Sequence, residues 1–115
     1  MFKEISITKS VKDIEFVFQS NPHDYFFTSN ELDSVEHKNV IKSLGARYLI
    51  KRAILDYIDR GDSYLEIEIK NDEQEKPDIV FYNRVKNRIK EMGINNVQIS
   101  ISHSRNFIAI MVILE

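Results

Sequence analysis

The sequence predicts an α+β fold in which an antiparallel sheet packs on a long helix. Three observations support this: a helical pattern over residues 38–58, a strictly alternating segment at residues 65–70, and two apolar strands around a polar turn at residues 97–114. The predicted order is strand, helices, hairpin, helix, hairpin. That order is typical of α+β domains.

The first third of the chain contains a strand and the start of a helix. Residues 5–8 alternate apolar and polar side chains and predict a short strand. Residues 11–18 are apolar with charges between them, which fits either helix or strand, and residues 21–24 predict a turn around a proline. Thr28 precedes Glu31 by three positions, the spacing of a capping box, so a helix is expected to begin at Ser29 or Asn30.

The longest predicted element is the helix at residues 38–58, where apolar residues recur at spacings of three and four. Gly45 and Ala46 lie inside this helix, and two small residues there are expected to permit close packing rather than to break it. Gly61 follows the last periodic residue and is the expected C-cap.

A hairpin and a basic helix should follow. Residues 65–70 and 79–82 predict two strands, with residues 71–76 as a polar turn between them. Residues 83–92 predict a basic helix with an apolar side, and Gly93 is expected to end it.

The last segment predicts a second hairpin. Residues 97–102 alternate as a half-buried strand does, and residues 107–114 are so apolar that burial on both faces is expected. Residues 102–106 form the polar turn between them. His103 and Arg105 in such a turn could bind an anion.

Composition restricts the class of protein. With 115 residues, 43% of them hydrophobic, the chain is expected to form a single domain over residues 1–115. The formal net charge of −2 and the pI of about 5.9 argue against a nucleic-acid partner. The sequence has no cysteine, no apolar run long enough to span a membrane and no signal-peptide pattern, so a cytoplasmic protein is expected.

Several segments, in order, resemble the holo-acyl-carrier-protein synthases, which are small 4'-phosphopantetheinyl transferases. Residues 27–32 read Phe-Thr-Ser-Asn-Glu-Leu and are similar to the family's Phe-Thr-x-x-Glu-Leu. Residues 44–53 resemble its Leu-Ala-Gly-Arg-Phe-Ala-Ala-Lys-Glu-Ala helix. Residues 66–77 resemble a strand followed by a Gly-Lys-Pro turn, and residues 97–115 resemble the closing strands around Ser-Ile-Ser-His. The resemblance implies a 4'-phosphopantetheinyl transferase-like fold.

The resemblance also implies a reaction, in which a serine of an acyl carrier protein takes phosphopantetheine from coenzyme A. In the family, Mg²⁺ held by two carboxylates assists this transfer, and trimers place the coenzyme between protomers. The implied coenzyme-binding residues are Arg47, Lys51, Ser102, His103 and Arg105.

Three of these residues also have a structural alternative. His103 is alternatively a turn histidine bonded to nearby backbone, and Lys51 a solvated lysine. Arg47 is alternatively a buried ion-pair partner, with Glu31 as its expected acid.

The chain departs from the family at both metal positions. Ser6 stands where the resemblance places the strand Asp, with no acid between residues 5 and 11, and Arg52 stands where it places the helix Glu. Hydroxyl and guanidinium groups cannot replace carboxylates as ligands of a hard cation, so no metal-binding residue is predicted. Asp56 follows Arg52 by four positions, which predicts a structural ion pair. Alternatively Arg52, with Lys51, acts in catalysis by neutralising the pyrophosphate.

Two hypotheses of function remain. One is a divergent transferase that is impaired or inactive alone, and the other is a non-catalytic carrier-binding or scaffold protein. A homotrimer is expected from the resemblance, and a mixed oligomer, in which another chain supplies the carboxylates, is a third hypothesis. The family docks the acidic carrier protein on a basic first helix, but residues 9–24 mix both signs of charge, and residues 83–92 are the most basic segment.

Overall fold

The protein is described here by a computed structural model, which covers residues 2–35, 40–71 and 76–115, except for the side chain of Asn71. The elements in chain order are β1 (Lys3–Ser10), α1 (Val11–Ser20), α2 (His23–Phe26), α3 (Ser29–Asp33), α4 (Val40–Ile58), a 3-10 helix (Tyr64–Glu66), β2 (Ile67–Asn71), β3 (Pro77–Phe81), α5 (Asn83–Glu91), β4 (Val97–His103) and β5 (Phe107–Leu114). The predicted α+β class is confirmed. Within the described ranges, no helix combines the length and apolarity needed to cross a membrane.

The strands form two antiparallel sheets. β5 is the central strand of the larger sheet, and β1 and β4 pair with it on either side. β2 and β3 form a separate pair, with Ile67 opposite Phe81. Both predicted hairpins are therefore confirmed, although residues 72–75, where the first one turns, lie outside the described part of the chain.

The prediction that β5 is buried on both faces is wrong for this chain alone. Alternate residues behave differently along the strand, because α4 covers only one face of the sheet. On the covered face, the buried residues are Ile108, Ile110, Val112 and Leu114. On the outer face, Ala109, Met111 and Ile113 are half-buried and Phe107 is exposed.

Gly45 brings α4 into close contact with the sheet. A Cβ atom on Gly45 would lie 2.7 Å from Cδ1 of Ile108 in β5 and 3.0 Å from Cγ2 of Ile14 in α1. No larger side chain fits that space without displacing a neighbour. The expectation that this small residue permits close packing is confirmed.

α4 and α5 are each followed by a residue in the left-handed region, but only one of these residues was predicted. After α4, Asp59 has φ 57° and the N–H of Arg60 donates to the carbonyl of Leu55 at 3.1 Å. The prediction of Gly61 as the C-cap is thus wrong, because the reversal occurs two residues earlier. After α5, Gly93 has φ 72° and ends the helix as expected.

Two further segments, residues 11–18 and residues 65–70, differ in how well the sequence predicted them. α1 is a helix, and the hydroxyl of Ser10 caps it by accepting from the N–H of Asp13 at 3.1 Å. The predicted strand at residues 65–70 begins only at Ile67, because residues 64–66 form the 3-10 helix and leave Leu65 exposed.

α5 has no side-chain cap at its own N-cap position. Instead, Oε1 of Glu66 accepts from the N–H groups of Arg84 at 2.7 Å and Val85 at 3.2 Å. A carboxylate at the positive end of a helix is favourable. The start of α5 is therefore held by a residue that lies before β2.

Candidate functional site

Lys51 is the centre of a buried polar network under α4. Its ammonium donates to Oε1 of Glu31 at 2.5 Å, to the carbonyl of Phe26 at 2.7 Å and to that of Tyr64 at 3.1 Å. The side chains of Lys51 and Glu31 are both fully buried, so the alternative of a solvated lysine is wrong. Burial lowers the pKa of Lys51, and the nearby carboxylates oppose that shift. All three protons of this ammonium are used inside the fold.

Two buried carboxylates connect α3 to β2. Glu31 accepts from the N–H of Thr28 at 3.0 Å, which completes the predicted capping box, and from the N–H of Ile69 at 3.2 Å. Glu68 accepts from the hydroxyls of Thr28 at 2.6 Å and Tyr82 at 3.1 Å. Burial raises the pKa of Glu68, but the hydrogen bonds that it accepts outweigh burial and leave the pKa below its usual value.

Arg47 lies one turn before Lys51 on the same buried side of α4. Its guanidinium donates to Oγ of Ser43 at 2.9 Å and to Oγ of Ser34 at 3.4 Å. The predicted ion pair between Arg47 and Glu31 is wrong, because Lys51 takes the carboxylate. Burial lowers the pKa of Arg47, and the charge of Glu31 only partly offsets this.

Arg52 faces the opposite way, toward the loop that follows α4. Its guanidinium contacts Asp56, which confirms the predicted i, i+4 ion pair, and Oδ1 of Asp62 at 3.0 Å. It also donates to the hydroxyl of Tyr64 at 2.8 Å and to the carbonyl of Gly61 at 3.2 Å. The hydrogen bond to Asp56 is the main cause that raises the pKa of Arg52, and burial opposes it. Every nitrogen of the guanidinium therefore has an acceptor within the chain.

The residues at the two expected metal positions do not fit Mg²⁺. Ser6 lies on β1 opposite Met111 and offers only a hydroxyl, while Arg52 places a positive charge at the other position. Mg²⁺ requires oxygen ligands, usually including carboxylates. In the described ranges, no group of three or more histidines and carboxylates could hold a metal ion.

The turn between β4 and β5 is an open polar surface. Ser102 and His103 at the end of β4 and Arg105 in the turn are all exposed, and the N–H of Ser104 closes the turn on the carbonyl of Phe107 at 2.9 Å. The carbonyl of Asn106 accepts from the N–H of Val11 at 2.8 Å, so the turn lies at the start of α1. Within the described part of the chain, no hydrogen bond connects this turn with Arg47, Lys51 or Arg52. The predicted site residues are thus divided between this turn and α4.

Sequence reasoning missed four residues that shape these clusters: Asp62, Tyr64, Glu66 and Glu68. Glu68 lies in an alternating segment, where its position predicts a solvent-facing side chain, yet it is 2% exposed. Asp62 and Tyr64 follow the end of a helix, and no spacing in the sequence relates them to Arg52.

Comparison with known proteins gives a relative for most of the chain. The holo-acyl-carrier-protein synthase of Dehalococcoides mccartyi is 31% identical over 91 residues, which cover 77% of this chain and 75% of the relative. No profile of a protein family matches the chain.

Solved structures share the fold over nearly the full length of the chain. The holo-acyl-carrier-protein synthase of Neisseria meningitidis superposes with a TM-score of 0.83 at 21% identity, covering 97% of this chain and 96% of that one. The enzyme of the same name from Helicobacter pylori, solved in complex with coenzyme A, gives a TM-score of 0.76 at 20% identity and covers 100% of both chains. The identity and coverage of the Dehalococcoides relative show that the chain belongs to the holo-acyl-carrier-protein synthase family.

Proposed function

We propose that this chain is a divergent 4'-phosphopantetheinyl transferase that binds coenzyme A but is impaired or inactive when it acts alone. The observation that carries the proposal is the position of the Arg52 side chain and its contacts with two acids. Its guanidinium occupies the position of an expected metal-binding carboxylate and is bonded to Asp56 and Asp62.

Binding of coenzyme A is supported by the turn between β4 and β5. His103 and Arg105 are exposed side chains that suit a phosphate group, and the hydroxyl of Ser102 adds a donor beside them. The relative from Helicobacter pylori was solved with coenzyme A, which supports the same ligand class here. The buried Arg47 and Lys51 contribute to this site by holding α4 in place.

Impaired transfer is supported by the contacts of Lys51 and Arg52, the two candidate catalytic residues. Phosphoryl transfer needs a positive charge on the pyrophosphate and a path for the proton of the attacking hydroxyl. The ammonium of Lys51 is fully buried and bonded to Glu31, and the guanidinium of Arg52 is bonded on every nitrogen. Neither group has a proton to offer a substrate without breaking contacts of the fold.

The outer face of the larger sheet supports a second candidate, a subunit of a homotrimer or mixed oligomer. Met111 and Ala109 of β5 form an apolar row with the exposed Phe107, and the polar residues of β1 and β4 border this row. A central strand with an uncovered apolar face suits contact with another chain. In a mixed oligomer, the partner chain would supply the missing carboxylates. A non-catalytic protein that binds acyl carrier protein, or a scaffold, would use the same fold without the transfer.

Isothermal titration with coenzyme A, with and without Mg²⁺, tests the proposal. We expect micromolar binding that Mg²⁺ does not strengthen, and loss of most of this affinity in His103→Ala/Arg105→Ala. The matched control is Arg60→Ala, which removes a cation whose guanidinium, among the described residues, donates to the carbonyl of Asp59 alone, at 2.9 Å. The absence of binding up to millimolar coenzyme A would contradict the coenzyme site.

A transfer assay with apo acyl carrier protein then tests the impairment. Little or no product is expected from the purified chain, alone and with Mg²⁺. Turnover equal to that of a family enzyme assayed beside it would contradict the proposal. Restored turnover on addition of a second family member, with a mixed complex in light scattering, would favour the mixed oligomer.

A further inference from the structure

α5 is the most basic surface of the described chain. It carries Arg84, Lys86, Arg88 and Lys90 against one acid, Glu91, within nine residues of a protein whose net charge is −2. Arg88 is used inside the fold, because it donates to the carbonyl of Ile58 at 3.0 Å and contacts Glu91 at 3.4 Å. The other three basic residues are exposed, and their side chains form no ion pair with any residue that the structure describes.

Helix stability does not explain these three charges. Arg84 and Lys86 lie in the first turn, where the helix dipole disfavours positive charge. Lys86 and Lys90 are four residues apart and repel one another across one face. Only Lys90, in the last turn, has the sign that the dipole favours.

The first helix, α1, carries no excess of positive charge. α1 carries Lys12 against Asp13 and Glu15, and Phe16, which is 70% exposed, lies on its outward side. An acidic protein therefore meets no net positive charge on α1. It meets three cations on α5 that form no ion pair within the described part of the chain, and the Arg88 contact attaches this helix to the end of α4.

We propose that α5 is the docking surface for the acidic face of a carrier protein, in place of α1. That the partner is a carrier protein rests on the proposed function, whereas its place on this chain rests on the charges of α5. α5 is about 13 Å long, at 1.5 Å per residue, which matches one short acidic helix of a partner. A nucleic acid fits less well. Its phosphate charges extend beyond the three cations of α5 and would face a protein whose net charge is negative.

The test compares two charge-reversal variants of the full chain that change the net charge equally. Binding of a purified bacterial acyl carrier protein is measured by biolayer interferometry at low and at high salt. Lys86→Glu/Lys90→Glu should weaken binding of the carrier protein by about tenfold or more. High salt should weaken binding to the unmodified chain but hardly change binding to the variant. The control, Lys9→Glu/Lys12→Glu, reverses two exposed lysines, one near the end of β1 and one in α1, and should change affinity by less than about twofold.

Three outcomes would overturn the inference. They are the reverse ranking of the two variants, no binding of the carrier protein to the unmodified chain, and equally tight binding of a single-stranded oligothymidine, which would indicate a general polyanion site. Equal thermal melting of both variants confirms that folding is intact. Coenzyme A titration is independent of this test, so a chain that binds the carrier through α5 but does not bind coenzyme A would contradict the proposed function and leave this inference standing.

Discussion

Replacing Lys51 with methionine tests whether the buried network holds the domain together. Methionine keeps most of the length of the side chain but removes the ammonium. The carboxylate of Glu31 then loses its cation, and the carbonyls of Phe26 and Tyr64 lose their donor. Removing one partner of a buried ion pair costs about 3–5 kcal/mol, because the other charge stays buried without compensation.

That loss is large relative to the total stability of a domain, which is about 5–15 kcal/mol. For a chain of 115 residues, it corresponds to a fall in melting temperature of about 15 °C. Urea denaturation followed by circular dichroism at neutral pH measures the free energy of unfolding directly. Lys42→Met is the matched control on the same helix, and it should change stability by less than about 0.5 kcal/mol, since Lys42 is only partly buried.

A double variant separates the charge effect from the loss of packing. Lys51→Met/Glu31→Gln removes both charges and keeps an oxygen that can accept from one backbone N–H, so it should be more stable than Lys51→Met alone. The reasoning is refuted if Lys51→Met lies within about 1 kcal/mol of the unmodified chain, or if the double variant is no more stable than the single one.

Four further predictions concern other parts of the molecule. Arg52→Gln should lower stability by about 1–2 kcal/mol in urea denaturation, because its carboxylate partners are largely exposed and each pair contributes little. Mg²⁺ should not raise the melting temperature of the unmodified chain, whereas Arg52→Glu, which adds a carboxylate beside Asp56 and Asp62, should gain such a rise; a Mg²⁺-dependent rise in the unmodified chain would contradict this account. The pKa of Glu68 is lowered from its usual 4.5, so its stabilisation is present above that pH and is lost as the pH falls below it. Glu68→Gln should therefore flatten the acid-unfolding curve, and an unchanged curve would count against the assignment. Gly45→Ala should destabilise by about 1–2 kcal/mol in the same denaturation assay, because overpacking at a buried contact outweighs the gain in helix propensity, and a more stable variant would show that the contact relaxes freely.

Local patterns in the sequence predicted the elements well. The capping box at Thr28 and Glu31, the helix that ends at Ile58 and the stop at Gly93 each depend on residues a few positions apart. Such signals act through neighbouring backbone groups, so they survive whatever packs around them. The resemblance to the holo-acyl-carrier-protein synthases also gave the correct family.

Burial by distant segments was harder to predict. Glu68 alternates with Ile67 and Ile69 as a surface residue would, yet it is buried and accepts from Thr28, directly before α3, and from Tyr82, directly after β3. Lys51 reads as an ordinary helix lysine until α2 and the 3-10 helix place their carbonyls around it. Periodicity describes one element at a time, and these side chains are buried by elements that lie elsewhere in the sequence.

The cap that Glu66 provides for α5 makes that helix dependent on the rest of the domain. A nine-residue helix is too short to persist alone in water, and α5 gets its cap from a residue outside its own sequence. A synthetic peptide of residues 83–91 should thus be unstructured, and its lysines would have no fixed spacing. Amide hydrogen exchange at Arg84 and Val85 should report the integrity of the contact between the 3-10 helix and α5, and this contact helps to fix the spacing of the cations on α5.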